Sequence, residues 1–172
     1  MAVFNERAQM RQVLVNNWFK RFVEGQAYTQ DEYHAFCIDV KMMSNSEIIA
    51  TYFKAIQTGD LAKLGALVAA DVIWHQPGDN QFSGTHTGAE AVFAMIGSMM
   101  EASAGTFKID LVKDIMVNGA EVAATINFSG QRNGTEMALG GVDVFTVKNG
   151  QIAEVWLYSS DQAAEDAFWG KS

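Results

Sequence analysis

Residues 106–160 read TFKIDLVKDIMVNGAEVAATINFSGQRNGTEMALGGVDVFTVKNGQIAEVWLYSS, and this stretch decides the fold. Three Asn-Gly dipeptides divide it: Asn118-Gly119, Asn133-Gly134 and Asn149-Gly150. Asn-Gly tolerates the positive φ angles that tight hairpins demand. The runs between them, 106–117, 120–131, 135–148 and 151–160, are rich in β-branched and aromatic residues. That pattern predicts a four-stranded antiparallel meander. Strands this long exceed the usual five or six residues and curl. Gly130 and Gly140-Gly141 fall inside the runs, where bulges or bends are expected. A curled sheet has a concave face that something must cover.

Helices upstream supply the cover. Ser44-x-x-Glu47 has the form of a capping box, followed by Ile48, Ile49, Tyr52, Phe53 and Ile56 at helical spacing. Thr58-Gly59-Asp60 ends that helix and starts another, with Leu61, Leu64, Leu67 and Val68 on one face. Val72 to Gln76 reads as a short strand running into a Pro77-Gly78 turn. Thr87-x-x-Glu90 caps a third helix carrying Val92, Phe93 and Ile96, and a last short helix covers Asp161 to Phe168. Further upstream, Met10, Leu14, Trp18 and Phe22 recur every four residues. Thr29-x-x-Glu32 can cap a second helix with Tyr33, Phe36, Cys37 and Val40 on one side. Residues 1–43 therefore read as a helical hairpin, an N-terminal extension before a domain over residues 44–172.

The chain has 172 residues and a formal net charge of -8, with only 12 Lys and Arg. Nucleic-acid binders need clustered cations to displace phosphate counterions, so that class is excluded, and an anionic membrane surface is disfavoured likewise. No apolar stretch is long enough to span a bilayer. A single cysteine, Cys37, allows no intrachain disulfide. With no signal-peptide core at the N-terminus, the reading is a cytoplasmic protein.

Candidate chemistry centres on Asp143. In the strand around it, Leu139, Gly141, Asp143, Phe145 and Val147 share one face by period-two alternation. A carboxylate in an apolar stripe is costly unless paired or protonated, and burial raises its pKa toward the range useful for acid/base work. The same residue could instead be a structural hydrogen-bond acceptor. At the end of the short strand, Trp74 and Gln76 face one way and Ile73 and His75 the other, and either pair could enter a pocket. Trp156 and Tyr158 share a strand face, and aromatic residues with one polar atom suit a pocket wall, as does Tyr52 on the first helix. His34, His75 and His86 have no metal-ligand spacing, and there is no phosphate loop, dinucleotide fingerprint or nucleophile elbow.

Taken together, several of these segments resemble the SnoaL-like polyketide cyclase family of the nuclear transport factor superfamily of α+β cones. They are Tyr52-Phe53 with Gly59-Asp60-Leu61, Trp74-His75-Gln76-Pro77-Gly78, Gly84-x-x-x-Gly88, Val142-Asp143-Val144-Phe145 with Asn149-Gly150-Gln151-Ile152, and Trp156-x-Tyr158-x-x-Asp161. The resemblance covers residues 46–168. It implies a cone-shaped α+β barrel, a curved antiparallel sheet covered by the preceding helices. It also implies that Asp143 is the acid/base aspartate, with His75 as a second catalytic candidate. Tyr52, Trp74, Gln76, Trp156 and Tyr158 are the ligand-binding candidates. In ketosteroid isomerases of this fold the residue before the proline is the catalytic aspartate; here Gln76 cannot act as a base. Epoxide hydrolases of this fold carry a carboxylate where Tyr158 stands. The function expected is therefore cyclase- or isomerase-type proton transfer on a small, apolar, carbonyl-bearing substrate. It needs no metal or organic cofactor, and a homodimer is the expected assembly. The alternative is a non-catalytic binding protein for a hydrophobic ligand.

Overall fold

The computed structural model describes residues 29–40 and 42–171. These residues form five helices and six strands. In chain order they are α1 (Gln30–Val40), α2 (Asn45–Thr58), α3 (Leu61–Leu67), β1 (Val68–Gln76), β2 (Gly84–Thr87), α4 (Ala89–Ala102), β3 (Lys108–Asn118), β4 (Glu121–Arg132), β5 (Thr135–Lys148), β6 (Gln151–Ser159) and α5 (Gln162–Trp169). The helix expected around Met10, Leu14, Trp18 and Phe22 lies outside the described residues.

The meander is present as β3 to β6, each strand antiparallel to the next. The sheet is larger than the meander, with order β2-β1-β6-β5-β4-β3. β1 runs parallel to β6, and β2 pairs antiparallel with β1. The meander leaves one edge of β6 without partners, and β1 satisfies those backbone groups. β1 also begins earlier than expected, at Val68. His86 lies in β2, where its Nε2 sits 2.9 Å from the Phe82 carbonyl oxygen.

The three hairpins are not alike. Asn133-Gly134 and Asn149-Gly150 have positive φ at both residues, the type I′ signature. In the first hairpin Asn118 still pairs with Glu121, so the turn residues are Gly119 and Ala120, and only Gly119 has positive φ. The expected bulges also fall elsewhere. Register shifts lie between Ile109 and Leu111, Val112 and Asp114, and Thr146 and Val147. Gly141 instead keeps the ladder regular and allows close approach. A Cβ there would meet the Tyr158 carbonyl oxygen at 2.9 Å and the Phe128 ring at 3.2 Å.

The core fills the space between α2, α4 and the concave face of the sheet. α2 starts on a capping box: Ser44 N donates to Glu47 Oε2 at 2.7 Å, and Glu47 N donates back to Ser44 Oγ at 3.4 Å. Such a cap is worth about 1 kcal/mol. The apolar face of α2 is buried, and Tyr52 and Phe53 meet Phe145 edge-on at 5.4 and 5.7 Å. Thr29 and Glu32 cap α1 in the same reciprocal way, and α1 sends Val40 into the same core. α4 departs from expectation. Its N-cap is Gly88 at φ 89, with no side-chain cap, and Thr87 remains in β2. The positive φ needed to turn from strand into helix favours glycine over threonine at that point.

Candidate functional site

The helices and the sheet enclose a cavity of about 880 Å³. One wall comes from α2 (Tyr52, Phe53) and α4 (Phe93, Ile96), the other from β4 (Ile126, Phe128). Apolar side chains dominate; among the polar groups, Gln76, Asp143 and Glu165 come from β1, β5 and α5, and Gln57, Lys108 and Asp110 from α2 and β3. Asp143 reaches the cavity from β5, and its cross-strand neighbours are Ala124 and Leu157. It is 7% exposed. Burial, and then the nearby Glu165 carboxylate, push its pKa from 3.8 up to about 8. Deprotonating it would put a second negative charge into a poorly solvated space.

Tyr52 is buried above the same region, and burial, with the Asp143 charge as a smaller cause, holds its hydroxyl well above the usual range. It is therefore a proton-bearing donor at any working pH. Trp74 and Gln76 are the pair that turn inward from β1. Trp74 Nε1 donates to Gln76 Oε1 at 3.2 Å, which fixes the amide and leaves its NH₂ as the group to offer a ligand. Tyr158 contributes to the cavity rim yet is 56% exposed.

His75 and Trp156 do not line the cavity. They lie on the outer face of the sheet, stacked at 3.5 Å between ring centroids. His75 Nε2 sits 2.9 Å from Glu154 Oε1, Nδ1 sits 3.3 Å from Thr85 Oγ1, and Trp156 Nε1 donates to Glu154 Oε1. Strand alternation separates His75 from Gln76, so the pairs anticipated at the sheet mouth end on opposite faces. These contacts hold the Glu154 carboxyl below its usual range, with the His75 hydrogen bond as the largest cause.

Glu165 is the buried carboxyl of the cavity that sequence reasoning missed. It sits on α5, 5% exposed, and lines the cavity together with Asp143. Burial raises its pKa. Ser159 Oγ and Trp169 Nε1 lie against its carboxylate and oppose that rise, although neither completes a well-formed hydrogen bond. The signal was available: Glu165 shares a helical face with Phe168 and Trp169, both buried. α5 is held in place by Asp166, which accepts from Asp79 N at 3.0 Å and Asn80 Nδ2 at 2.7 Å. Arg132 Nη1 and Gln81 Nε2 bind the carbonyls at its end. Among the described residues, no group of three or more His, Cys, Asp or Glu is placed to hold a metal ion, and no helix is long and apolar enough to cross a membrane.

Residues 49–155, more than half of the chain, match the SnoaL-like domain family. A protein of unknown function with a cystatin-like fold from Xanthomonas campestris is 52% identical, over 75% of this chain and 100% of that one, with a TM-score of 0.73. An uncharacterized protein of Mycobacterium tuberculosis is 29% identical over 124 residues, which are 72% of this chain and 94% of that protein. At 22% identity and a TM-score of 0.59, the fold is shared with IdmH, a candidate polyketide cyclase from Streptomyces antibioticus, over 73% of this chain and 99% of that one.

Proposed function

Because this chain belongs to the SnoaL-like domain family, we propose that its cavity is the site of acid/base proton transfer next to a carbonyl group, of cyclase or isomerase type. The substrate is small, largely apolar and free of formal charge. The observation that carries the reading is Asp143, a buried carboxyl on the cavity wall whose pKa stands at about 8. An acid/base group works best when its pKa lies near the operating pH. Tyr52 and Gln76 line the same cavity and can donate to a carbonyl oxygen that gains charge, with Trp74 holding the Gln76 amide, and donors fixed in advance stabilise such charge most strongly. Cavities of roughly 300–1,000 Å³ suit metabolites and drug-sized molecules, and this one falls inside that range.

β-Tetralone, an uncharged bicyclic ketone with an acidic C–H, is a suitable probe. The wild-type protein is expected to speed deuterium exchange from heavy water into the carbon next to the carbonyl. Asp143→Ala should lower that rate by about 10²–10⁴-fold, the usual worth of a positioned acid or base. Equal rates for both proteins would end the enzymatic reading. The second reading, a binding protein for an apolar ligand, is supported by the predominance of apolar side chains in the lining. It is distinguished by tight binding of β-tetralone without exchange.

A cytoplasmic location and a homodimer complete the proposal. For the dimer, the support is the apolar surface on the meander strands, including Met116, Val117, Trp156 and Tyr158. Light scattering of the purified chain that gives the monomer mass would remove it.

A further inference from the structure

Two buried carboxyl groups share the cavity, and their surroundings differ. Asp143 projects from β5 between Ala124 and Leu157, and the influences on it are burial and the charge of Glu165, with no hydrogen bond among them. Glu165 projects from α5 against Ser159 Oγ and Trp169 Nε1, two buried donors with no hydrogen-bond partner of their own. Trp169 is 0% exposed. Donors stabilise a carboxylate, and an apolar surround stabilises a carboxylic acid. Two like charges in one dry space do not both persist, so the pair holds one proton over a wide pH range.

We propose that Glu165 is the resting base of the cavity and that Asp143 carries the proton of the pair, so that the site enolises uncharged, largely apolar ketones and turns away carboxylates. This rests on the acid/base reading above and divides its two roles between two residues. Glu165 takes the proton from the carbon next to the carbonyl. The C–H bonding electrons become the new π bond, and charge moves to the carbonyl oxygen. Asp143 donates its hydrogen bond, and then its proton, to that oxygen. Return of the proton from Glu165 to another carbon, with Asp143 recovering its own from the enol, gives isomerisation, and return to the same carbon gives exchange once Glu165 has traded that proton for a solvent deuteron. In an aldol ring closure the enol carbon attacks a second carbonyl of the same molecule. The enol proton returns to Asp143, and the new alkoxide takes the proton from Glu165. Every proton is accounted for within the pair.

The titratable groups that act on the pair are few. Tyr52 from α2 couples to Asp143, and Asp166 on α5 adds a second negative charge near Glu165. No cation is among the causes acting on either residue. Lys108 and Asp110 also line the cavity, from β3, but Lys108 Nζ lies 2.9 Å from Asp110 Oδ1, so that pair adds no net charge and an anionic ligand would meet the negative charge of the carboxyl pair.

The test has two arms on the full chain. In the first, protein labelled with ¹³C at the Asp and Glu side-chain carboxyls is titrated by NMR, with Asp143→Asn and Glu165→Gln giving the assignments. The expected result at neutral pH is a protonated Asp143 beside an ionised Glu165, with the Asp143 midpoint falling in Glu165→Gln. An ionised Asp143 beside a protonated Glu165, or an Asp143 midpoint unmoved by Glu165→Gln, overturns the assignment.

In the second arm, β-tetralone exchange is measured for the same variants. Glu165→Gln is expected to lose about 100-fold or more, whereas Asp143→Asn, whose amide still donates to the oxygen, should lose only about tenfold. The reverse order makes Asp143 the base and overturns the proposal. β-Naphthoate should bind at least tenfold more weakly than β-tetralone, and equal binding contradicts the charge argument. If the wild type exchanges nothing, the proposed activity falls, and the titration still decides which residue holds the proton.

Discussion

Asp143 and Glu154 stand on neighbouring strands and meet opposite fates. Asp143 turns to the concave face, among apolar side chains, and its pKa is driven up to about 8. Glu154 turns to the outer face, where His75 and Trp156 reach it, and its pKa is held below the usual value. The residue type is nearly the same, and so is the local backbone. What differs is the supply of donors and water, which decides whether a carboxyl becomes a reactive acid or a quiet acceptor. The contrast supports the proposal that chemistry takes place on the concave face, where the pKa values of Asp143 and Glu165 are raised.

The packing version of this contrast is expected to be the largest in stability. Phe145, 0% exposed on the concave face, meets Tyr52 and Phe53. Phe145→Ala should cost about 3–5 kcal/mol in urea unfolding. Trp156→Ala, on the outer face of the adjacent strand, should cost about 1 kcal/mol or less, since the ring is 45% exposed. Equal losses would mean that the two faces are not packed differently.

A smaller effect follows from pH. A carboxyl held above its unfolded value binds its proton more tightly in the native state. The stability that Asp143 contributes is therefore complete below 3.8 and is lost as pH rises through about 8. Urea midpoints should fall across that window by the equivalent of about 2–4 kcal/mol, and Asp143→Asn should flatten the slope. A wild-type slope that Asp143→Asn leaves unchanged would place the titration on some other group.

Glu154 is expected to show the opposite sign and the smallest size. Its stabilisation is present above 4.5 and fades as pH falls through its lowered value. Glu154→Gln should cost about 1 kcal/mol or less, because the pair with His75 is partly exposed. His75→Ala should leave β-tetralone exchange within about twofold of wild type, in line with its place outside the cavity. A hundredfold loss would return His75 to the site and erase the inner–outer distinction.

Local signals carried most of the fold. Asn-Gly pairs need positive φ, and capping boxes need a hydroxyl and a carboxylate three residues apart, so both are written in consecutive residues. The parallel pairing of β1 with β6 joins segments about eighty residues apart, and no local pattern encodes it. Asp143 was legible because alternation placed a charge in an apolar stripe. His75 was misleading because alternation gives two faces without saying which is concave. Gln76 and His75 differ by one position, and the sheet's curvature, a property of all six strands, decides between them. Glu165 escaped notice because a short terminal helix looks like a cover, and its inward face is defined only by where Phe168 and Trp169 pack. Trp169 packs against Phe107 and Phe82, from segments far away in sequence, and Phe168 packs against Trp169.

The most direct test of the buried-carboxyl account is the pH dependence of β-tetralone exchange by the wild-type protein, corrected for the uncatalysed rate at each pH. The account expects a rate that rises as Glu165, whose pKa burial raises, ionises and falls again as Asp143 loses its proton near about 8. A corrected rate that stays flat between about pH 5 and pH 10 would contradict it, since no carboxyl pair would then be governing the proton transfer.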